Sequence, residues 1–114
     1  MNKAISDRIR NSHKYSEIKT SLLTQLKDQG ADTAAFRDLV EDYMNFWVIK
    51  QLTIIDIRTR GPVIAYNNGG GQSGTKENPS IAYNIKLSSQ MLKILQQLKL
   101  SVDNVETGDS VDGL

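Results

Sequence analysis

Between Tyr43 and Ile57, ten of fifteen residues are large and apolar: Tyr43, Met44, Phe46, Trp47, Val48, Ile49, Leu52, Ile54, Ile55 and Ile57. On a helix these side chains surround most of the cylinder, and a helix apolar nearly all round must be covered nearly all round. The helix that carries them is expected to start near Asp32 or Thr33 and to show an apolar seam at Phe36, Leu39, Val40, Tyr43, Phe46 and Trp47. It runs on to about Arg58, where Gly61-Pro62 stops it, giving roughly 26 residues and a length near 39 Å. In a chain of 114 residues one antiparallel helix covers one side of it. A neighbouring subunit is then the expected cover for Phe46, Trp47, Ile49, Leu52 and Ile55. The β-branched density of Leu52–Ile57 also admits a strand at that point.

The antiparallel partner has a written start at Asn78-Pro79-Ser80. Asn is a strong N-cap, and Pro fits the first helical position because its missing N–H would have been unpaired there. Ile81, Ile85, Ser88, Leu92, Leu95 and Leu98 recur at three- and four-residue steps and predict its apolar face, with Lys86, Gln90, Lys93 and Gln97 on the polar side. A first helix is expected from Ser16, as cap, to about Gln29, with Ile18, Leu22, Leu23 and Leu26 as its stripe and Gly30 as its left-handed terminator. Pro62 to Tyr66 reads as extended, and Asn67 to Gly74 as a flexible turn or the tip of a small two-stranded ribbon. The expected fold is all-α: a short first helix on a long antiparallel helical hairpin, with a small β-ribbon at the hinge. Three regions follow: a flexible basic arm over 1–15, disordered or a short frayed helix across 1–14, a helical oligomerisation core over 16–100, and a disordered acidic tail over 101–114.

Net charge is +1, but its distribution is uneven. Residues 1–30 hold Lys3, Arg8, Arg10, Lys14, Lys19 and Lys27 against Asp7, Glu17 and Asp28, an excess of about +3. Residues 61–100 hold Lys76, Lys86, Lys93 and Lys99 against Glu77 alone, again about +3. The tail carries Asp103, Glu106, Asp109 and Asp112 with no base. A basic arm and an acidic tail suit two different partners, or are solvated ends.

The residues for catalysis are missing. The chain has one histidine, His13, and no cysteine, so neither a zinc site nor a Ser-His-Asp or Cys-His constellation can be assembled. The run Gly69 to Lys76 approaches a phosphate-binding loop, but Thr75 and Lys76 stand in the reverse of the required order. Asp38, Glu41 and Asp42 read as a solvated helix face rather than an acid–base pair. Tyr43 and Trp47 have the chemistry to stack on bases, but at helical spacing among Leu and Ile they read as core or interface. No enzyme, cofactor or metal is expected. No apolar run approaches the roughly 18 residues of a membrane helix, and Arg8, Arg10 and His13 interrupt any signal-peptide core. A cytoplasmic setting without membrane attachment is expected.

The wording of several segments resembles the small subunit of phage terminase. Asp38-Leu39-Val40-Glu41-Asp42-Tyr43-Met44 is similar to that family's long central helix, and Ile54-Ile55-Asp56-Ile57-Arg58 with Gly61 to its exit. The Lys76 to Pro79 start and the Gln90-Met91-Leu92 to Leu98-Lys99-Leu100 ending resemble its C-terminal helix. The likeness spans about residues 20 to 102 and rests on order and spacing rather than on one motif. It implies a non-enzymatic, ring-forming homo-oligomer in the cytoplasm of the bacterial host. Such a ring engages double-stranded viral DNA and regulates the large subunit, which holds the ATPase and nuclease. With that role, DNA contact is expected from Lys3, Arg8, Arg10, Lys14 and Lys19, with Lys86 and Lys93 as secondary contacts, and the acidic tail is expected to dock the large subunit. The rival reading is a helical protein-binding adaptor or inhibitor without DNA binding.

Overall fold

The structure, a computed structural model, describes residues 3–100. Along the chain these form α1 (Lys3–Arg10), α2 (His13–Asp28), α3 (Ala34–Arg60), β1 (Val63–Gly69), β2 (Gln72–Glu77) and α4 (Pro79–Leu98). The tail expected to be disordered, 101–114, lies outside the described residues.

The segment read as a basic arm is helical. Lys3 and Asp7 pair one turn apart at 2.8 Å, and the Arg10 guanidinium donates to Asn45 Oδ1 on α3 at 3.0 Å. Ser12 then serves two helices. Its hydroxyl donates to the Ile9 carbonyl at 2.7 Å and accepts from the Tyr15 amide at 3.2 Å, closing α1 and capping α2. Ser16, the expected cap, lies inside α2 with its amide on the Ser12 carbonyl, so the arm–core boundary at 15/16 falls within a helix. The other end of α2 follows expectation: Gly30 has φ +70°, its amide reaches the Lys27 carbonyl, and the Ala31 amide reaches that of Leu26.

Thr33 caps α3 through the Phe36 amide at 3.2 Å, and 27 residues later Gly61, at φ +83°, ends it with its amide on the Ile57 carbonyl. Leu52–Ile57 is helical throughout, so the strand alternative fails. Packing on several sides outweighs the β preference of Ile54, Ile55 and Ile57. The next segment makes the ribbon. β1 and β2 pair antiparallel from Val63 opposite Glu77 to Gly69 opposite Gln72, with a register shift between Asn67 and Gly69. The tip Gly69-Gly70-Gly71 holds three positive φ angles, a conformation only glycine adopts at so little cost. Paired strands occupy the segment that approached a phosphate loop, and Lys76 lies over the Tyr66 ring at 5.9 Å.

α4 starts where expected, with the Asn78 side chain accepting from the Ser80 amide. It returns antiparallel along α3, with Ser80 against Asp56, Asn84 against Thr53, and Ile94, Leu95 and Leu98 in one cluster with Val40 and Met44. The predicted apolar face holds at its C-terminal end, where Leu95 and Leu98 are buried, and is out of phase before it. The buried side of α4 is Leu87, Met91, Ile94, Leu95 and Leu98, while Ile85 is 66% and Leu92 53% exposed. Two apolar stripes share this helix, and α3 takes the one centred on Met91 because it also closes over Leu22 and Leu26 of α2. The helix ends on Lys99, left-handed at φ 58°, with the Leu100 amide on the Leu95 carbonyl and the Leu100 side chain buried.

The apolar surplus of α3 is met largely within the chain. α1 and α2 lie against it as well as α4. Phe46 and Trp47 pack on the core, and Trp47 meets Tyr15 edge-on with ring centroids 6.0 Å apart. Ile49 and Leu52 are half-buried, and Ile55, at 39%, is the exposed member of the five expected at a subunit contact.

Candidate nucleic-acid and partner interface

Four helices meet in one groove of about 590 Å³. Its apolar wall comes from Ile9 of α1, Ile18 of α2, Trp47 and Ile55 of α3, and Met91 and Leu95 of α4. Arg8, Lys14 and Lys50 stand around it, and no carboxylate lines it. None of the three cations has an ion-pair partner among the described residues. Water-facing cations beside apolar surface, with no acid to neutralise them, attract an anion that also carries apolar groups.

The Ser12 turn positions this rim: it turns α1 back toward α3, so Arg8 and Lys14 reach the same groove from two helices. Lys50 was missed by the sequence reading. The available signal was its isolation, as the single charged residue between Asp42 and Asp56 in an otherwise apolar and polar-uncharged stretch of α3.

The other cations expected at DNA are dispersed. Lys3 is exposed and held by Asp7, whose hydrogen bond and charge raise the ammonium pKa. Lys19 pairs with Glu41 of α3 at 2.7 Å, and that hydrogen bond raises its pKa despite partial burial. Both are therefore less available to a phosphate than their charge suggests. Arg10 is exposed but bound to Asn45. Lys86 and Lys93 are exposed on α4 with Gln90 and Gln97, away from the buried stripe and beside exposed Leu92. The structure thus brings Arg8 and Lys14 together with Lys50, and keeps Lys86 and Lys93 as a separate patch.

A second polar cluster locks the corner where α3, the ribbon and α4 meet. Arg60 donates to both carboxylate oxygens of Asp56, at 2.6 and 2.8 Å, and to Asn78 Oδ1 at 3.3 Å. The Ser80 hydroxyl donates to Asp56 at 2.6 Å. These bonds, Arg60's first and Ser80's second, hold the Asp56 carboxyl well below the usual carboxylate range. Asp56, Ser80 and Asn78 are all tied by these bonds, which marks the cluster as a structural joint rather than a reactive site.

The class defined by this arrangement is a small helical bundle with a projecting ribbon and a cationic groove, suited to binding. The comparison with protein families then gives the family: residues 18–104 match that of the phage terminase small subunit, and the chain belongs to it. The family has a role in phage DNA packaging and is generally a non-catalytic packaging regulator. No curated protein and no solved structure gave a significant match. Among the described residues no helix is long and apolar enough to cross a membrane.

Proposed function

We propose that this chain is a DNA-packaging factor that assembles into a ring, binds double-stranded viral DNA, and recruits and regulates the large ATPase-nuclease subunit in the cytoplasm of the bacterial host. The observation that carries the reading is the family match over most of the helical core, joined to a cationic groove without carboxylates. DNA contact is assigned to Arg8, Arg10 and Lys14, with Lys50 added from the groove. Lys86 and Lys93 act as a second patch, and Lys3 and Lys19 contribute only where phosphate displaces Asp7 and Glu41. A ring multiplies these few charges around one axis, so that weak contacts per subunit act together.

Of the α3 stretch expected at a subunit contact, Phe46 and Trp47 pack on the core and Ile55 lines the groove, so the contact is assigned to Ile49 and Leu52 with the uncovered α4 residues Ile85 and Leu92. A head-to-tail contact of this kind closes into a ring or grows into a filament, depending on its rotation. Light scattering combined with an electrophoretic shift on duplex DNA at low salt tests the reading. A defined oligomer of many copies that shifts DNA is expected. A chain that stays monomeric at micromolar concentration and leaves DNA unshifted would overturn it in favour of a protein-binding adaptor.

A further inference from the structure

The groove poses a question that DNA binding alone does not answer. Phosphate contact uses the cations but not the apolar wall of Trp47, Ile55, Met91 and Leu95 between them. An occupant matched to both features carries carboxylates and apolar side chains in alternation. The chain contains such a segment. After Leu100 come Val102-Asp103, Val105-Glu106 and Val111-Asp112, three pairs of one apolar and one acidic residue, with Asp109 and Leu114 besides and no cation.

The segment starts beside the α4 wall of the groove: Leu95 lines the groove, and the Leu100 amide is bonded to the Leu95 carbonyl at 2.9 Å. The left-handed Lys99 and the buried Leu100 turn the chain out of the α4 direction there. Residues 101–114 reach about 46 Å when extended, so distance does not limit a return to the groove.

We infer that the groove is the docking site of the chain's own acidic segment 101–114, which sets valines on the apolar wall and carboxylates against Arg8, Lys14 and Lys50. The segment lies outside the described residues, and the inference rests on complementarity of charge and apolar surface. One consequence depends on the function proposed above: Arg8 and Lys14 are also assigned to DNA, so the segment and DNA compete, and the segment keeps the free subunit from non-specific duplex. Arg8, Ile9 and Lys14 precede the residues matched to the family.

The absence of cysteine from residues 1–114 makes the test direct, in that whole chain and without DNA. Ser110→Cys is paired with Gln51→Cys, in the groove, or with Gln97→Cys, exposed on α4 and nearer to where the segment starts. Under mild oxidation at low salt the Gln51 pair is expected to cross-link several-fold faster, within single chains, and Arg8→Glu with Lys14→Glu is expected to abolish that preference. Equal rates, a faster Gln97 pair, or a preference that survives the charge reversals would overturn the inference. Cross-linked dimers in place of cross-linked single chains would assign the groove to another copy and also overturn it. A second readout leaves the folded core unchanged: neutralising Asp103, Glu106, Asp109 and Asp112 to their amides is expected to raise acrylamide quenching of Trp47, the single tryptophan. Unchanged quenching would count against docking. Neither measurement contains DNA, so failure of DNA binding and failure of the docking are read separately.

Discussion

Asn78 donates from its side-chain amide to the Gly61 carbonyl at 3.0 Å, tying the first residue after α3 to the cap of α4 across the whole ribbon. The same side chain accepts from the Ser80 amide and from Arg60, and the residue is fully buried. Its backbone amide adds a bond to the Pro62 carbonyl at 2.8 Å. Asn78 therefore fixes where the chain leaves α3 and where it re-enters as α4. Replacing it by Ala removes a cap and the bond to the Gly61 carbonyl, at an expected cost of about 1–3 kcal/mol. Urea unfolding of Asn78→Ala against the wild type measures this.

The neighbouring Asp56 gives a pH signature. Its carboxyl is held below the ordinary value of 3.8 by Arg60 first and by Ser80 second. A carboxyl depressed in the folded state adds stability that is fully present above that ordinary value, and the contribution is lost as pH falls through it toward the folded value. Asp56→Asn is therefore expected to be less stable than the wild type near neutrality, with the gap narrowing as pH drops below 3.8. Thermal melts of both proteins across that range decide it. A gap independent of pH would show that the carboxylate charge is immaterial.

The two helix ends beside each other, at Gly30 and Lys99, are expected to respond with opposite signs. Both are left-handed, at φ 70° and 58°, but only one is glycine. Lys99→Gly removes the cost of a β-carbon in that conformation and is expected to add about 1 kcal/mol. Gly30→Ala imposes it and is expected to remove about the same. Denaturant midpoints of the two variants are the check, and Gln29, whose side chain reaches the Lys99 carbonyl at 3.4 Å, stays in place in both.

Most of the fold was legible because its starts and stops are local. Thr33, Asn78-Pro79, Gly30 and Gly61-Pro62 act within three or four residues, and each appears where its chemistry placed it. The phase of α4 was not legible. Ile81, Ile85 and Leu92 repeat as regularly as Leu87, Met91 and Ile94, and only the position of α2 and α3 selects between them. α1 was legible only as one of two alternatives, disorder or a short frayed helix: its eight residues with two isoleucines are anchored by Asn45 and the wall of α3, neither of which is local. The groove needs residues from four helices at once, so only the lone Lys50 hinted at it.

The uncovered α4 stripe supplies a prediction that separates assembly from folding. Ile85→Glu with Leu92→Glu is expected to change subunit stability by no more than about 0.5 kcal/mol, since both side chains are exposed. The same pair is expected to reduce the particle mass in light scattering with helicity retained. An unchanged mass would remove α4 from the contact and leave it to Ile49 and Leu52 of α3.

The central claim is that this chain binds duplex DNA as an assembly through a small set of cations on each subunit, and the salt dependence of its DNA affinity tests it most directly. Each phosphate contact contributes a slope of about −0.9 in log affinity against log salt. Several subunits each using Arg8, Arg10 and Lys14 should give a slope several times steeper than one subunit's cations can supply. Reversing Arg8 and Lys14 to Glu should flatten it equally for viral and random duplex, because phosphate contacts carry no sequence information. A steep slope that flattens in the variant is the predicted result. No measurable binding at low salt, or a shallow slope unchanged by the reversals, would contradict it.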